Sequence, residues 1–377
     1  MNARIAVTAT FAANGVLFGT WAPRIPAVQE ALGLDDARLG LALFAPALGS
    51  VGSMLMTGLL VRRFGAGRVT GGALTAFSLS LPLIGLAPAL PWLFAALLVW
   101  GAAMGALDVA MNAAGLGVQR SYGRPILSGM HAALSAGGLA GAVAGSLAAG
   151  AGVPVRAHLI VAGLLGLAVA VAIRRTPIPE PVGAKPTKGV NRKPWTLGGL
   201  AFAGLLAEGA AADWSAVHLT ALGAGPGLAG AGFVAFSITM TAGRLVGDRV
   251  VATAGSVRTV RIAAATASVA LAAALLIGTT WSAIAGFAVL GAGLATLVPV
   301  IFTAAAQRSD APATAVAAVS TCGYLGFIAG PPLIGALAGL IGLGGALWLV
   351  AALTATVAVL APAVRRPPSR ATAPLVS

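Results

Sequence analysis

Apolar residues run through this chain in windows of about twenty, broken by short polar stretches that hold nearly all of the arginine and lysine. Windows fall near 5–23, 39–61, 69–87, 91–119, 128–150 and 157–173, and again near 196–219, 228–247, 258–278, 281–306, 313–338 and 343–364. A helix rises about 1.5 Å per residue, so each window can cross a hydrocarbon core about 30 Å thick. Long apolar runs, rather than ten-residue alternations, exclude a membrane β-barrel. The pattern therefore predicts an all-α membrane protein with twelve transmembrane helices. Between the two sets of six lies a stretch rich in proline and basic residues, which predicts a solvated linker at 176–194. The linker would separate a six-helix bundle at 1–175 from a second at 195–377. Arg4 ahead of an apolar run has the look of a signal peptide, but Asn14 and the length of the run predict a retained first helix.

Composition strengthens the membrane reading. With 58% hydrophobic and 8% charged residues among 377, the chain has too few charges to coat a soluble globule of that size. Its 52 glycines would let helices approach closely in lipid. The net charge of +14 forms no stripe with interleaved aromatics, so no nucleic-acid partner is expected. The basic residues instead obey the positive-inside rule. With both termini cytoplasmic, twenty lie on the inner side and only Arg24, Arg38 and Arg156 on the outer. Cys322 is the single cysteine, so no intrachain disulfide can form.

The halves repeat. A shift of 185 lays Ala132–Gly145 on Ala317–Gly330 with seven identities in fourteen positions, and a shift of 186 pairs Arg63 with Arg249. Two like-oriented, pseudo-symmetric bundles would enclose a cavity between them.

Local motifs point the same way. GLLVRRFGAGR (58–68) is similar to the loop motif of the major facilitator superfamily, although Arg62 stands where that motif has an acid; Gly247, Asp248 and Arg249 keep more of it in the second half. DVAMN (108–112), RPILSGMH (124–131), AEGAAADWS (207–215) and GPPLIG (330–335) resemble a bacterial subgroup that includes a membrane protein associated with rhizopine, a methylated amino-inositol. The resemblance implies a secondary transporter in the bacterial cytoplasmic (inner) membrane, with Arg63, Arg68, Asp248 and Arg249 at a cytoplasmic gate. A glycine-proline pair in the fifth span marks antiporters of that superfamily. Here the fifth span reads Gly141-Ala142, which counts against antiport.

Polar residues inside the apolar windows are the candidate chemistry. An ionised group at mid-membrane costs about 2.5 to 3.5 kcal/mol, so it survives where it faces protein or water. Glu208 lies well inside its window, and Asp213 lies nearer the far end, where it marks either a pathway or a simple interfacial anchor. Five residues apart, the two point about 140° apart and are expected to face different neighbours. Asp108 and Asn112 share one helical face, and a shift of 190 sets them opposite Val298 and Phe302, so they are not repeated scaffolding. They are either interhelical glue or ligand contacts. Laying Asn14-Gly15 on Glu208-Gly209 puts an amide and a carboxylate at related places beside the cavity. His131 is either a proton relay, since histidine titrates near about pH 6.5, or a helix cap. His158 and His218 are expected at the outer interface, with Trp21, Trp214 and Trp281 as aromatic anchors; Trp214 alternatively stacks on a solute.

Gly225, Gly227 and Gly230 spell GxGxxG, but with no preceding strand they read as a turn. Asp213, Ser215 and His218 do not form a hydrolase triad, because serine and aspartate point about 200° apart on a helix. No cofactor, metal or enzymatic activity is expected. The leading expectation is proton-coupled transport of a small polar solute, sugar- or cyclitol-like, by a monomer alternating access across the lipid bilayer. Proton-antiport efflux of drugs or metabolites is the second reading, disfavoured by the scarcity of phenylalanine and tyrosine. A non-transporting sensor or scaffold is the third.

Overall fold

The computed structural model describes residues 2–123, 126–174, 176–179, 195–309 and 312–365. Most of the linker (180–194), with its Lys185, Lys188, Arg192 and Lys193, lies outside the described residues, as do Arg124, Arg175, Arg366 and Arg370. The first half of the chain forms α1 (Ala3–Gly19), a 3-10 turn (Ala22–Arg24), α2 (Ile25–Ala31), α3 (Asp36–Phe64), α4 (Ala66–Gly85), α5 (Leu90–Tyr122), α6 (Leu127–Gly150) and α7 (Val155–Ile173). The second forms α8 (Trp195–Ala221), α9 (Pro226–Ala229), α10 (Ala231–Ala254), α11 (Ser256–Ile277), α12 (Thr280–Leu294), α13 (Leu297–Gln307), α14 (Pro312–Ala346) and α15 (Trp348–Leu360).

Among the described residues, ten helices or joined helix pairs are long and apolar enough to cross a membrane, and Trp348–Val364 is a shorter apolar helix. α4 is not one of the ten. Arg68 and a series of glycine, serine and threonine residues dilute its hydropathy, and it lies packed between α5 and α7. The predicted span at 281–306 is broken into α12 and α13. Pro299 explains the break: it donates no hydrogen bond and its ring presses on the residue four before it, Ala295, where α12 stops.

The outward faces keep large apolar side chains exposed, with Leu55 at 76%, Leu276 at 76% and Leu340 at 81% of their free surface. A patch of that extent matches lipid rather than water. Trp92, Trp195 and Trp281 are exposed at the starts of α5, α8 and α12, as interfacial anchors are.

Packing between helices uses glycine to bring backbones together. α1 runs parallel to α6: a methyl group on Gly137 would lie 2.2 Å from the Ala12 carbonyl oxygen, and one on Gly141 2.3 Å from that of Val16. α8 runs parallel to α14 in the same register, Gly326 meeting the Phe202 carbonyl at 2.2 Å by the same measure. Gly101 of α5 sits on Pro46 of α3, and Gly291 of α12 sits on Phe236 of α10, again the same contact moved along the chain. α3 and α10 also end alike, on Gly65 (φ 87°) and Gly255 (φ 81°), a left-handed conformation in which a side chain would be strained. The repeat read from the sequence therefore reappears as repeated helix seams.

Those seams correct two alignments. Gly326 is the counterpart of Gly141, so Phe202 is the counterpart of Val16, and Asn14 corresponds to Leu200 rather than to Glu208. Gly65 and Gly255 are counterparts as well. Arg63 stands two residues before its cap and Arg249 six before its own, so the two arginines lie a full turn apart in depth. Arg258, at the start of α11, is the counterpart of Arg68.

Candidate functional site

Helices α1, α3, α5 and α6 of the first half and α8, α10 and α14 of the second surround one cavity of about 420 Å³. That size falls within the range of small-molecule pockets. At one end the halves meet across it in seams where glycines come close to the facing backbone. Gly40 of α3 lies on Gly335 of α14, where an added methyl would come 2.8 Å from the facing Cα. Gly227 of α9 lies on Gly150 of α6, and Gly230 lies on Ser146 and Pro23. The GxGxxG glycines thus begin and follow a short helix and close an interhelical seam. These contacts fall where α3 begins and α6 and α8 end. At the opposite end, Arg63, Phe64, Asp248 and Arg249 are exposed, as is Arg68. No ion pair joins any of the four charged residues there, among the described residues, although the Arg63 guanidinium lies 5.3 Å from the Phe64 ring.

On the first-half wall, Asn112 is held by two neighbours. Its Nδ2 donates to the Asp108 carbonyl oxygen at 2.8 Å and toward Asp108 Oδ1 at 3.3 Å, the geometry that a four-residue helical spacing allows. Its Oδ1 lies 3.0 Å from His131 Nε2. An amide oxygen only accepts, so with the amide so placed His131 donates through Nε2. The imidazole rests edge-on against Phe11, with ring centroids 5.1 Å apart. α5 and α6 therefore join Asp108, Asn112 and His131 into one hydrogen-bonded row, of which Asp108 lines the cavity. Replacing Asn112 by alanine removes both side-chain links, each worth about 1 kcal/mol net. The expected result is a fall of about 1 to 2 kcal/mol in thermal stability; an unchanged melting temperature would show that the row contributes no cohesion.

Asn14 also lines the cavity, is 6% exposed, and among the described residues its side chain reaches only the Met111 sulfur, at 3.6 Å. A thioether is a weak acceptor, so the amide is poorly satisfied.

On the second-half wall, Glu208 and Asp213 of α8 both line this same cavity with Ala212 beside them, though they have different neighbours within it. The cavity is wide enough to be reached from two sides of the helix that runs along it. Glu208 Oε1 lies 3.5 Å from Arg244 Nη2 of α10, with the two side chains 27% and 44% exposed. Asp213 makes no hydrogen bond among the described residues. Trp214 does not line the cavity. One residue, and 100° of turn, beyond Asp213, it is fully buried, with its indole N–H unpartnered, so it is neither an interfacial anchor nor a stacking platform here.

Other assignments change as well. Trp21 is 3% exposed and lines the cavity instead of meeting lipid headgroups. His218 is 5% exposed beside Phe287, and His158 Nε2 lies 2.9 Å from Thr20 Oγ1, so neither is a free surface anchor. Arg24 is buried, and its Nη2 donates to the Val153 carbonyl at 2.5 Å, tying the end of α1 to the loop after α6.

Arg244 and Tyr324 belong to the cavity and were not among the candidates. Arg244 is one of the twenty basic residues that the charge pattern places on the inner side, yet it lies ten residues before the end of α10, about 15 Å along the helix. The repeat held both signals: Tyr324 is the counterpart of Leu139, and Arg244 of Met54, and all four line the cavity. Exposed ion pairs contribute about 0 to 1 kcal/mol. Glu208→Gln is therefore expected to leave the melting temperature nearly unchanged, and a large drop would mean that the pair holds α8 to α10.

Comparison with known proteins adds identity to this geometry. The profile of the Major Facilitator Superfamily matches residues 6–309. An uncharacterized MFS-type transporter of Yersinia pestis is 36% identical over 97% of both chains, and an uncharacterized transporter of Sinorhizobium fredii is 35% identical over 96% of this chain and 97% of that one. Membrane protein MosC of Rhizobium meliloti is 33% identical over 94% of this chain and 88% of its own. Among solved structures, the nucleoside transporter NupG superposes with a TM-score of 0.76 at 14% identity, over 97% of this chain and 99% of that one. A bacterial homologue of the human lysosomal transporter Spinster, inward-facing and occupied, gives 0.74 at 16% identity, over 97% and 96%. At such identities the two structures speak to the fold.

Proposed function

The chain belongs to the Major Facilitator Superfamily, and on that premise we propose that it is a secondary active transporter moving a small organic solute by alternating access, coupled to protons. The observation that carries this reading is a single cavity walled from both halves, with Asp108 on one wall and Glu208, Arg244 and Asp213 on the other. It is closed by glycine seams at one end, while gate residues stand apart at the other. Two matched six-helix bundles, 1–175 and 195–377, joined by a cytoplasmic linker at 176–194, would rock about that cavity, twelve spans in all. The repeated seams α1·α6 and α8·α14, and α3·α5 and α10·α12, support that layout. With both termini cytoplasmic in a bacterial inner membrane, the seams lie on the outer side and the cavity faces inward.

Arg63, Arg68, Asp248 and Arg249 would then come together when the cytoplasmic side closes. Charges that are worth little when wet interact more strongly once water leaves, which makes such a gate two-state. Carboxylates in the cavity are the groups able to take up and release protons, and no nucleotide-binding motif offers another energy source. A monomer suffices, since the cavity is complete within one chain. The sugar- or cyclitol-like solute expected from the sequence rests on Asn14, Asp108, Asn112 and Glu208, of which all but Asn112 line the cavity. A second reading, efflux of a metabolite or drug-like compound, gains from the aromatic rings that line the cavity.

Substrate-dependent proton flux in reconstituted vesicles tests the proposal. Uptake and efflux couple protons in opposite senses, and a scaffold moves none. Absence of flux with a ligand shown to bind would refute transport.

A further inference from the structure

The chain as a whole is strongly basic, with 23 lysines and arginines against 9 acids, yet its cavity is acidic. Asp108, Glu208 and Asp213 line it against a single base, Arg244. That arginine lies beside Glu208, so two carboxylates face the cavity without a fixed cation on its walls. An uncompensated charge away from bulk water is costly, so each such carboxylate takes up either a proton or a cation brought by the cavity's contents.

The remaining wall is apolar and aromatic. Phe18, Trp21 and Trp100 from the first half face Phe233, Phe236 and Tyr324 from the second, with Phe18 and Trp100 stacked at 6.1 Å. The chain has only 21 aromatic residues, and a third of them line this one space, Phe327 being the seventh. Aromatic faces carry negative charge density and attract cations while also covering apolar surface. Neutral polar groups line it too, Asn14, Ser50, Ser237, Thr241 and Tyr324 among them, but they are scattered along a wall that is otherwise apolar, whereas the charged groups are mostly acids. An anion would meet three carboxylates.

We propose that the solute this cavity takes is an organic monocation, an ammonium group on an apolar body, with the ammonium at Asp108 and the body between the rings of the two halves. Asp108 suits that role because its Oδ1 is steadied by Asn112 while the side chain still opens to the cavity. The inference rests on the transporter reading for passage of the bound solute across the membrane, but binding itself can be measured separately.

Matched probes decide it on the purified, full-length protein in detergent. Phenethylamine is compared with 2-phenylethanol, cyclohexylmethylamine with cyclohexylmethanol, and glucose and benzoate stand for neutral polar and anionic solutes; binding is read by thermal shift and intrinsic tryptophan fluorescence. Each amine is expected to bind about tenfold or more tightly than its alcohol, as a charge-assisted contact and cation–π attraction require. Asp108→Asn is expected to erase most of that preference, whereas Asp35→Asn on the exposed loop leaves it intact. The wild-type comparison needs no variant, so a poorly folding Asp108→Asn protein does not spoil the test. Alcohols, glucose or benzoate binding as well as the amines, or amines failing to shift the protein at all, overturns the inference. Proton-linked movement of a neutral solute would overturn it and leave transport standing; amine binding with no movement across a vesicle membrane would do the reverse.

Discussion

Asp108→Asn is expected to slow solute-driven proton flux by about tenfold to a hundredfold, while the protein still folds. The substitution keeps size and shape, and the new amide oxygen can still accept from Asn112, so the hydrogen-bonded row with His131 survives. What disappears is a charge on the cavity wall. Hydrogen bonds to charged groups are worth about 1.5 to 3 kcal/mol, and each 1.4 kcal/mol is about a factor of ten. Flux into proteoliposomes under an imposed pH difference, with gel filtration to confirm a monodisperse sample, is the measurement. Rates within about twofold of wild type would remove Asp108 from the solute and proton path and reduce it to glue between α5 and its neighbours.

Gly227→Val is expected to disfavour the outer-closed arrangement without unfolding the protein. A methyl on Gly227 would come 2.9 Å from the Gly150 Cα, backbone against backbone, so nothing flexible can move aside. The contact exists only while the halves touch there, and separating them relieves it. Overpacking costs about 1 to 3 kcal/mol, which shifts a two-state population by about tenfold to a hundredfold. Gly15→Val is the contrast. Its added carbon would sit 2.0 Å from the Leu134 carbonyl within the α1·α6 seam, which both access states share, so it is expected to lower the melting temperature instead. Labelling of a cysteine placed at Ala212, in a Cys322→Ala background, reads access from the outer side; equal labelling in wild type and Gly227→Val would show that this seam is not a gate.

How much of this was legible beforehand divides along physical lines. The long apolar helices were, because lipid demands an unbroken apolar window and the sequence writes it directly, whereas the short α2 and α9 carry no such window. The break at Pro299 was written too, but a window average passes over one proline. Register between helices was harder. Composition makes almost any shift of an alanine- and glycine-rich helix look plausible, so Asn14 was laid on Glu208 and Arg63 on Arg249, when the glycine seams and the Gly65 and Gly255 caps set both pairs further apart. Asp108, Glu208 and Asp213 stood out because a carboxylate in an apolar window must face something polar. Arg244 did not, since a lone arginine in such a sequence reads as a loop residue until its helix is seen to continue for ten residues beyond it. The aromatic count says nothing of placement. Phenylalanine and tyrosine are scarce along the chain, but aromatic side chains are concentrated where solute would sit. Trp214, next to a cavity acid in sequence, turned out buried, because adjacent residues on a helix point 100° apart.

The central claim is that the two ends of the cavity open in turn. Spin-label pairs at Phe64 and Val250 on one end, and at Ala151 and Ala221 on the other, all exposed positions, measure it directly by pulsed electron resonance in a Cys322→Ala background. The account predicts opposite changes when protons or a bound solute shift the population: the first pair draws together as the second moves apart. Distances that stay fixed, or that lengthen and shorten together, in every condition where binding is demonstrated would contradict it.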